Sequence, residues 1–400
     1  MYLRNGRIGV YDLASGEASD AELTEDLAGD DTSSIVIADK LASIHGEDSL
    51  VFGTGVLTAS FVPAACAGFI RAKHYPDGWS RFMPILGFAG VELKLSGFDF
   101  IVVKGVAEKP GYLWARDGSI DFVEAGDLKG KDSWMRTDKI RADQGDSKIQ
   151  VISSGPWGDS MREASQLVID YWGGEDKAGL GGVFGGKNLL AVAMRGMGEV
   201  ELAEPEKHFE DSVLLMREHI LKLGPNHGLA SYSKAADRDD FRDLVHRHVA
   251  CYGCPFPCRT FLKTDEDPKE MRLAIKDPGY LHYDIPALEL AYASGLGSRD
   301  ASLALRMCAK AGAEPVAVMS NLRASAARVT PETIASVLAD PQDLRTDRVA
   351  NFERSFQDEE AYRGCLGLGL CPRYWGKVGF DKEELASFGE SAFGKTPGIQ

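Results

Sequence analysis

Several things are scarce or missing in this chain of 400 residues. No segment approaches the roughly 20 consecutive apolar residues that a membrane-crossing helix needs, and the opening stretch Met1 to Ile8 carries no long apolar run, so a cytoplasmic location without membrane attachment is expected. Basic residues are outnumbered: 45 Lys and Arg face 60 Asp and Glu, leaving a formal charge of −15. That balance opposes attraction to nucleic acid and to anionic lipid, and points to small molecules or proteins as partners. There is no tandem repeat, and no low-complexity linker. Walker A spacing is absent, as is a G-x-G-x-x-G motif between a clear strand and helix, so ATP and NAD have weak support. Cysteines number only seven. An odd count with three crowded together excludes a secreted disulfide framework and implies reduced thiols with a ligand role.

What is present suits ordinary globular cores: 44% of residues are apolar, and the length exceeds what one core usually spans, so two or three domains are expected. Residues 1 to 203 read as β-rich. Short β-branched or aromatic runs at Arg7–Tyr11, Ser34–Ala38, Ser49–Phe52, Phe100–Lys104, Tyr112–Ala115 and Gln150–Ser153 predict strands. Asp12–Gly16 and Ala115–Gly118 predict hairpin turns, because Asp and Gly tolerate tight reversals. From Glu204 onward the apolar spacing becomes helical, as in His208–Met216 and Ile285–Tyr292. Ser298 to Asp300 and Thr330 to Thr333 predict helix starts, and Pro341–Arg348 an exposed loop. The expected fold class is α+β: a two-sheet β-rich domain over 1–203, then a mainly helical region over 204–400.

The densest chemical signal is Cys251-Tyr-Gly-Cys254-Pro-Phe-Pro-Cys258. C-x2-C-x3-C gathers three thiolates on one tight loop. A [4Fe-4S] cluster needs one ligand per iron, so a fourth cysteine must come from elsewhere, with Cys371 and Cys365 the candidates. Zinc is the competing metal, since it takes Cys and His together and His246 or His248 could supply a nitrogen. Two glycine-dense stretches, Gly87 to Gly97 and Gly173 to Lys187, allow backbone to approach a ligand, or else simply pack closely at sheet turns. Cys308 falls on the apolar face of its expected helix and reads as a core residue.

In this order the motifs resemble the aldehyde ferredoxin oxidoreductase family of tungsten-pterin enzymes, as a shortened and divergent member. The resemblance rests on Met1 to Gly16, Gly55 to Thr58, Gly90 to Asp99, Ile101 to Gly105, Ser154 to Pro156, Gly185 to Leu189, the cysteine loop and the patch from Phe356 to Cys371. It implies an N-terminal two-sheet base for a tungsten (or molybdenum) bis-pyranopterin with a linking magnesium. It also implies a [4Fe-4S] cluster held by Cys251, Cys254, Cys258 and Cys371. Turns matching Gly87 and Gly90, and the stretch Lys177, Ala178, Gly179, Gly181 and Gly182, would approach the pterin and its phosphates. Tyr280, His282 and Asp284, shortly after the cluster loop, would be the proton donors of the reaction; the bland role for His282 and Asp284 is to bond backbone where a helix starts near Ile285.

The implied activity is a two-electron redox conversion of a small organic substrate. The implied partners are a ferredoxin-like electron carrier or a redox subunit, in a homo- or hetero-oligomer. The chain also departs from the family pattern. Leading aspartates of the two pterin motifs are replaced by Ala309 and Leu366, and an arginine that bridges pterin and cluster falls at Ala67. Pro84 stands where a magnesium-holding asparagine is expected, and Leu281 near the place of a glutamate acid or base. These departures frame an alternative, a pterin-less iron-sulfur electron-transfer or accessory subunit of a larger redox complex.

Overall fold

The structure is a computed structural model that describes residues 2–28, 33–73, 78, 80–224, 228–263, 279–281, 284–344, 359–380 and 385, with only the backbone of 229 and 279–281. The fold class is α+β, as the residue pattern implies: two mixed sheets fill the first half and helices dominate the second.

Six strands form the first sheet: β1 (Arg7–Asp12), β2 (Glu17–Glu22), β3 (Leu50–Thr54), β4 (Gly68–Lys73), β5 (Ser80–Ile85) and β6 (Phe100–Lys104), in the order β2-β1-β6-β3-β4-β5. β1 and β6 run parallel, and the other pairs are antiparallel. The second sheet combines β7 (Gly111–Arg116), β8 (Ser119–Glu124), β9 (Gln150–Ser153), β10 (Val168–Ile169) and β11 (Leu189–Arg195), in the order β10-β9-β11-β7-β8. β6 shows why the first sheet is central. Ile101 and Val103 enter a core shared with Leu113, Ile152 and Val192 of the second sheet, whereas Phe100 and Val102 enter the core on the opposite face. Successive side chains of a strand point to opposite faces, so a strand covered on both sides reads as one continuous apolar run.

One expected strand is a helix. Ser34–His45 is helical, with Ile35, Ala38, Leu41 and Ala42 buried on one side. The β-branched run Ile35-Val-Ile37 favours a strand locally, but the 3–4 spacing of the apolar residues that follow lets one helical face cover the first sheet, and packing overrides local preference. A second difference lies in the helical half, where β12 (Val245–Val249), β13 (Arg259–Leu262) and β14 (Gly279–Leu281) make a small antiparallel sheet. The cysteine loop is the connection between β12 and β13. Helix Ser298–Ala311 starts from Gly297 without a side-chain cap. Helix Pro331–Ala339 has the full capping box of Thr330 and Thr333, satisfying two end groups at once. Pro341–Leu344 follows that helix; residues 345–348 of the expected loop lie outside the described residues.

Candidate functional site

Five cysteines gather around the connection between β3 and β4, and the backbone explains how. The turn 55–67 between β3 and β4 acts as a hub. From one side the Cys251–Cys258 loop docks on it, with Ala64 N–H donating to Gly253 O at 3.0 Å. From the other side the segment before helix Pro372–Val378 docks on it: Cys371 N–H donates to Ala64 O at 2.9 Å, Ala67 N–H to Gly369 O at 2.9 Å, and Leu57 N–H to Leu368 O at 2.9 Å. Trp375 Nε1 adds a bond to Pro63 O at 3.0 Å. Cys66, fully buried within this hub, lies beside Cys251 and Cys371 in the same core cluster. Cys254 and Cys258 lie close enough to feel the charge of Cys251 and Cys371.

These thiols are unequal. The S–H of Cys66 donates to Cys251 and holds it down at about 5, against the cost of burial and with help from Arg259, Arg373 and the Gly87 N–H. Cys66, as the donor to two thiols, is pushed far up. Burial raises Cys254, and raises Cys258 to about 12. Cys365 is buried beside Cys371, but its thiol donates to Leu370 O at 3.7 Å. His246 and His248 sit on exposed β12, where His248 Nδ1 meets Thr260 Oγ1 at 3.2 Å.

Two buried arginines complete the centre. Arg259 follows Cys258 directly, and stacks its guanidinium on Trp172 at 5.0 Å. Its Nε and Nη2 have no hydrogen-bond partner among the described residues. Burial disfavours its charge, but Cys251, Glu175 and Cys258 outweigh that and keep it cationic. Arg373 pairs with Glu175, both almost fully buried. Four thiolates around an iron-sulfur cluster leave net negative charge, and orphaned buried N–H donors beside them suit such an anion. The donor set fits a cluster. Among the described residues no three His, Cys, Asp or Glu side chains close on a single metal ion.

Gly87 belongs to this centre. It has φ +90°, and a Cβ there would lie 2.6 Å from Arg259 Nη1; its N–H reaches Cys251 and its carbonyl accepts from Tyr252 at 3.3 Å. Gly90 is a packing glycine by its surroundings, since a Cβ would stand 2.4 Å from Gly68 N and 2.6 Å from Cys66 O.

The second glycine stretch is turned inward. Buried Asp176 accepts from Leu167, Ala178 and Gly181 N–H at 2.8, 2.9 and 3.2 Å, so a carboxylate of the chain itself fills the cradle an external phosphate would use. Gly179 starts helix Leu180–Gly186 at φ +76°. A Cβ at Gly181 or Gly182 would press on the Gln166 and Arg162 backbone, at 3.0 Å each. Lys177 Nζ lies between Asp284 Oδ2 at 2.6 Å and Glu314 Oε1 at 2.8 Å. The two carboxylates together raise its pKa against the cost of burial.

Asp284 also caps helix Ile285–Ala293 through Ala287 N–H at 3.2 Å, and burial raises its pKa. Tyr280 is paired with Phe261 across β13 and β14, and His282 lies outside the described residues. Cys308 is a buried core residue of its helix. A surface hollow of about 420 Å³ lined by Val10, Asp12, Glu17, Ala18, Ser19 and Lys104 shares no residue with the thiol centre.

The residues Cys66, Arg259, Arg373 and Glu175 escape a reading by spacing. Arg259 alone carries a signal, being a cation adjacent to a cysteine of the loop. Cys66 is isolated in sequence, and only the docking of two distant segments on its turn reveals it.

A two-sheet base carrying a buried multi-thiol centre defines the class. Residues 12–196 match the N-terminal domain of aldehyde ferredoxin oxidoreductase, a match that supports membership of that family. It is 27% identical over 300 residues to the tungsten-containing aldehyde ferredoxin oxidoreductase of Pyrococcus furiosus, covering 64% of this chain and 49% of that protein. The counterpart from Pyrococcus horikoshii is 30% identical over 252 residues, or 55% of this chain and 41% of that protein. The WOR-like subunit of an aliphatic sulfonate oxidoreductase from Pyrococcus furiosus is 21% identical over 314 residues, covering 64% of this chain and 49% of that protein. The chain thus spans about half the length of these curated relatives. Among solved structures, the active-site complex BamBC of benzoyl coenzyme A reductase with 1,5-dienoyl-CoA shares the fold at TM-score 0.68 and 16% identity, covering 96% of this chain and 65% of that one. Among the described residues no helix is long and apolar enough to cross a membrane.

Proposed function

We propose that this chain is an oxidoreductase of the aldehyde ferredoxin oxidoreductase type, in which a [4Fe-4S] cluster relays electrons between a tungsten (or molybdenum) bis-pyranopterin, linked through magnesium, and a ferredoxin-like carrier or redox subunit. The convergence of Cys251, Cys254, Cys258 and Cys371 carries this reading. When bound, the cluster exchanges one electron at a time and the tungsten pterin two. The four thiols would bind the irons, Gly87 N–H would donate to the Cys251 sulfur, and Arg259 and Arg373 would offset the added negative charge. Burial of Cys66, Cys258 and Cys371 keeps water from the sulfurs.

The pterin finds less in this chain. Lys177 is engaged by two carboxylates, Asp176 fills the backbone cradle, and Ala309 and Leu366 stand in place of the recognition aspartates. The residues present do not fit that group without a further segment or partner. The second reading is an iron-sulfur electron-transfer or accessory subunit without a pterin. Substrate roles for Tyr280, His282 and Asp284 belong to the first reading only.

Metal analysis of anaerobically purified protein decides. Tungsten or molybdenum with about four irons per chain supports the first reading, iron alone the second. Zinc without iron would overturn both.

A further inference from the structure

Helix Pro205–Leu223 is oriented the wrong way round for a helix covered only by water. Its buried line is His208, Ser212, Leu215 and His219, three polar side chains of four, with His219 Nδ1 against Tyr374 Oη at 2.8 Å. The apolar side chains point outward instead. Phe209, Leu214, Ile220 and Leu221 are exposed, Leu221 at 84% and the others between 49% and 56%. Phe61 of the turn 55–67, itself 41% exposed, extends the patch by meeting the Phe209 ring edge-on at 5.4 Å. A surface helix of a monomer turns its apolar stripe toward the core. At somewhat under about 200 Å² for a side chain of this size, the five expose on the order of 500 Å². That equals the apolar share of the roughly 800 Å² that each partner brings to a stable interface.

The charges on this face name the partner. At 3.6 residues per turn, the line opposite the buried one runs through Glu210 and Arg217, with Phe209 and Ile220 on one side of it and Leu214 and Leu221 on the other. Glu210 and Arg217 are both exposed, and neither joins an ion pair among the described residues. They stand about 10 Å apart along the axis, with Val213 and Leu214 midway. We propose that this face pairs with the same face of a second copy of this chain, the two helices antiparallel about a two-fold axis at Val213 and Leu214. An isologous contact makes every interaction twice. Glu210 of each copy then meets Arg217 of the other, at both ends of a shared apolar strip. Parallel helices would instead set Glu210 on Glu210 and Arg217 on Arg217, like charge against like. The pairing is independent of what the thiol centre binds.

Sedimentation equilibrium of the full chain, over about 1 to 100 μM so as to bracket a micromolar Kd, tests this. The proteins compared are the wild type, Glu210→Arg, Arg217→Glu, the double exchange Glu210→Arg/Arg217→Glu, and Leu214→Glu. All three positions are exposed, and circular dichroism checks that each variant is folded before masses are compared. The wild type is expected to be a dimer. Each single charge reversal should raise its Kd at least tenfold, the double exchange should restore most of the affinity, and Leu214→Glu should be monomeric. A wild type that stays monomeric throughout, including one that associates only with a different protein, overturns the proposal. So does a dimer that the single reversals leave intact, or a double exchange as weak as the singles. Iron content does not enter the readout, so failure here leaves the redox reading untouched.

Discussion

Gly55 and Gly369 meet so closely that a Cβ on Gly55 would stand 1.9 Å from the backbone nitrogen of Gly369. This contact seats the tail on the turn 55–67, and thereby brings Cys371 to the thiol centre. Gly369 has φ +90°, and a Cβ there would lie 2.2 Å from Thr58 Oγ1, so alanine at this position adds backbone strain to a clash. Gly369→Ala should cost roughly 2–4 kcal/mol by these combined effects, and should lower bound iron. Gly130 has φ +78° with open space around it, so Gly130→Ala should cost only about 1 kcal/mol and leave the iron unchanged. Denaturant melts with iron assays on both variants test the contrast; equal iron loss would refute it.

The cysteines should rank by place. Cys254→Ala and Cys258→Ala are expected to abolish iron-sulfur absorbance, whereas Cys365→Ser keeps it, because a hydroxyl can still donate to Leu370 O. Bleaching in Cys365→Ser alone would show that the ligand set is wrong.

Arg259 carries charge and two orphaned donors into the centre. Removing positive charge and N–H donors beside a cluster favours its oxidised form. Arg259→Met should therefore lower the midpoint potential by on the order of 60 mV or more, the equivalent of a tenfold change in a one-electron equilibrium. Arg259→Lys should fall between. Redox titration followed by paramagnetic resonance reads the shift, and an unchanged potential would remove Arg259 from the site.

Without metal, Cys251 is held at about 5 by the Cys66 S–H and the nearby cations, far below an ordinary thiol near about 8.5. A group whose pKa is depressed by folding stabilises the fold fully above its unfolded value. That contribution should therefore fade as pH drops from about 8.5 toward 5. Thiolate absorbance of the metal-free protein should titrate with a midpoint near 5. In Cys66→Ala the midpoint should rise, since the largest stabilising contact is gone; no movement would exclude the contact.

Lys177 joins two carboxylates that also cap separate helices, Asp284 at Ile285–Ala293 and Glu314 at Pro315–Ala324. Lys177→Met leaves both buried without their cation. A loss of about 3–5 kcal/mol is expected from such an unbalanced charge, partly recovered by adding Asp284→Asn. Chemical denaturation measures both, and a neutral Lys177→Met would show that the pair is dispensable.

Much of this was legible in the residues. The runs at β1, β3, β6, β7 and β9 announce strands because β-branched side chains bounded by turn residues fit a pleated surface. The helix at 34–45 did not announce itself, because its first turn looks like a strand and only its later apolar spacing matches the sheet it covers. The cysteine loop was plain, since three cysteines lie within one short stretch of chain. The companions Cys66, Glu175 and Arg373 were hidden, because each reaches the site from a different segment.

The sequence by itself determined the class of fold, the acidic surface and the local grip of Cys251, Cys254 and Cys258, all of which depend on neighbours along the chain. Tertiary structure alone decided that Cys371 and Cys66 come to lie beside those cysteines, that Arg259 is buried with them, and that Lys177 and Asp176 are spent on internal partners. Hydrogen bonds and close glycine contacts between distant segments set those outcomes, and such contacts leave no periodic trace in the residues that make them.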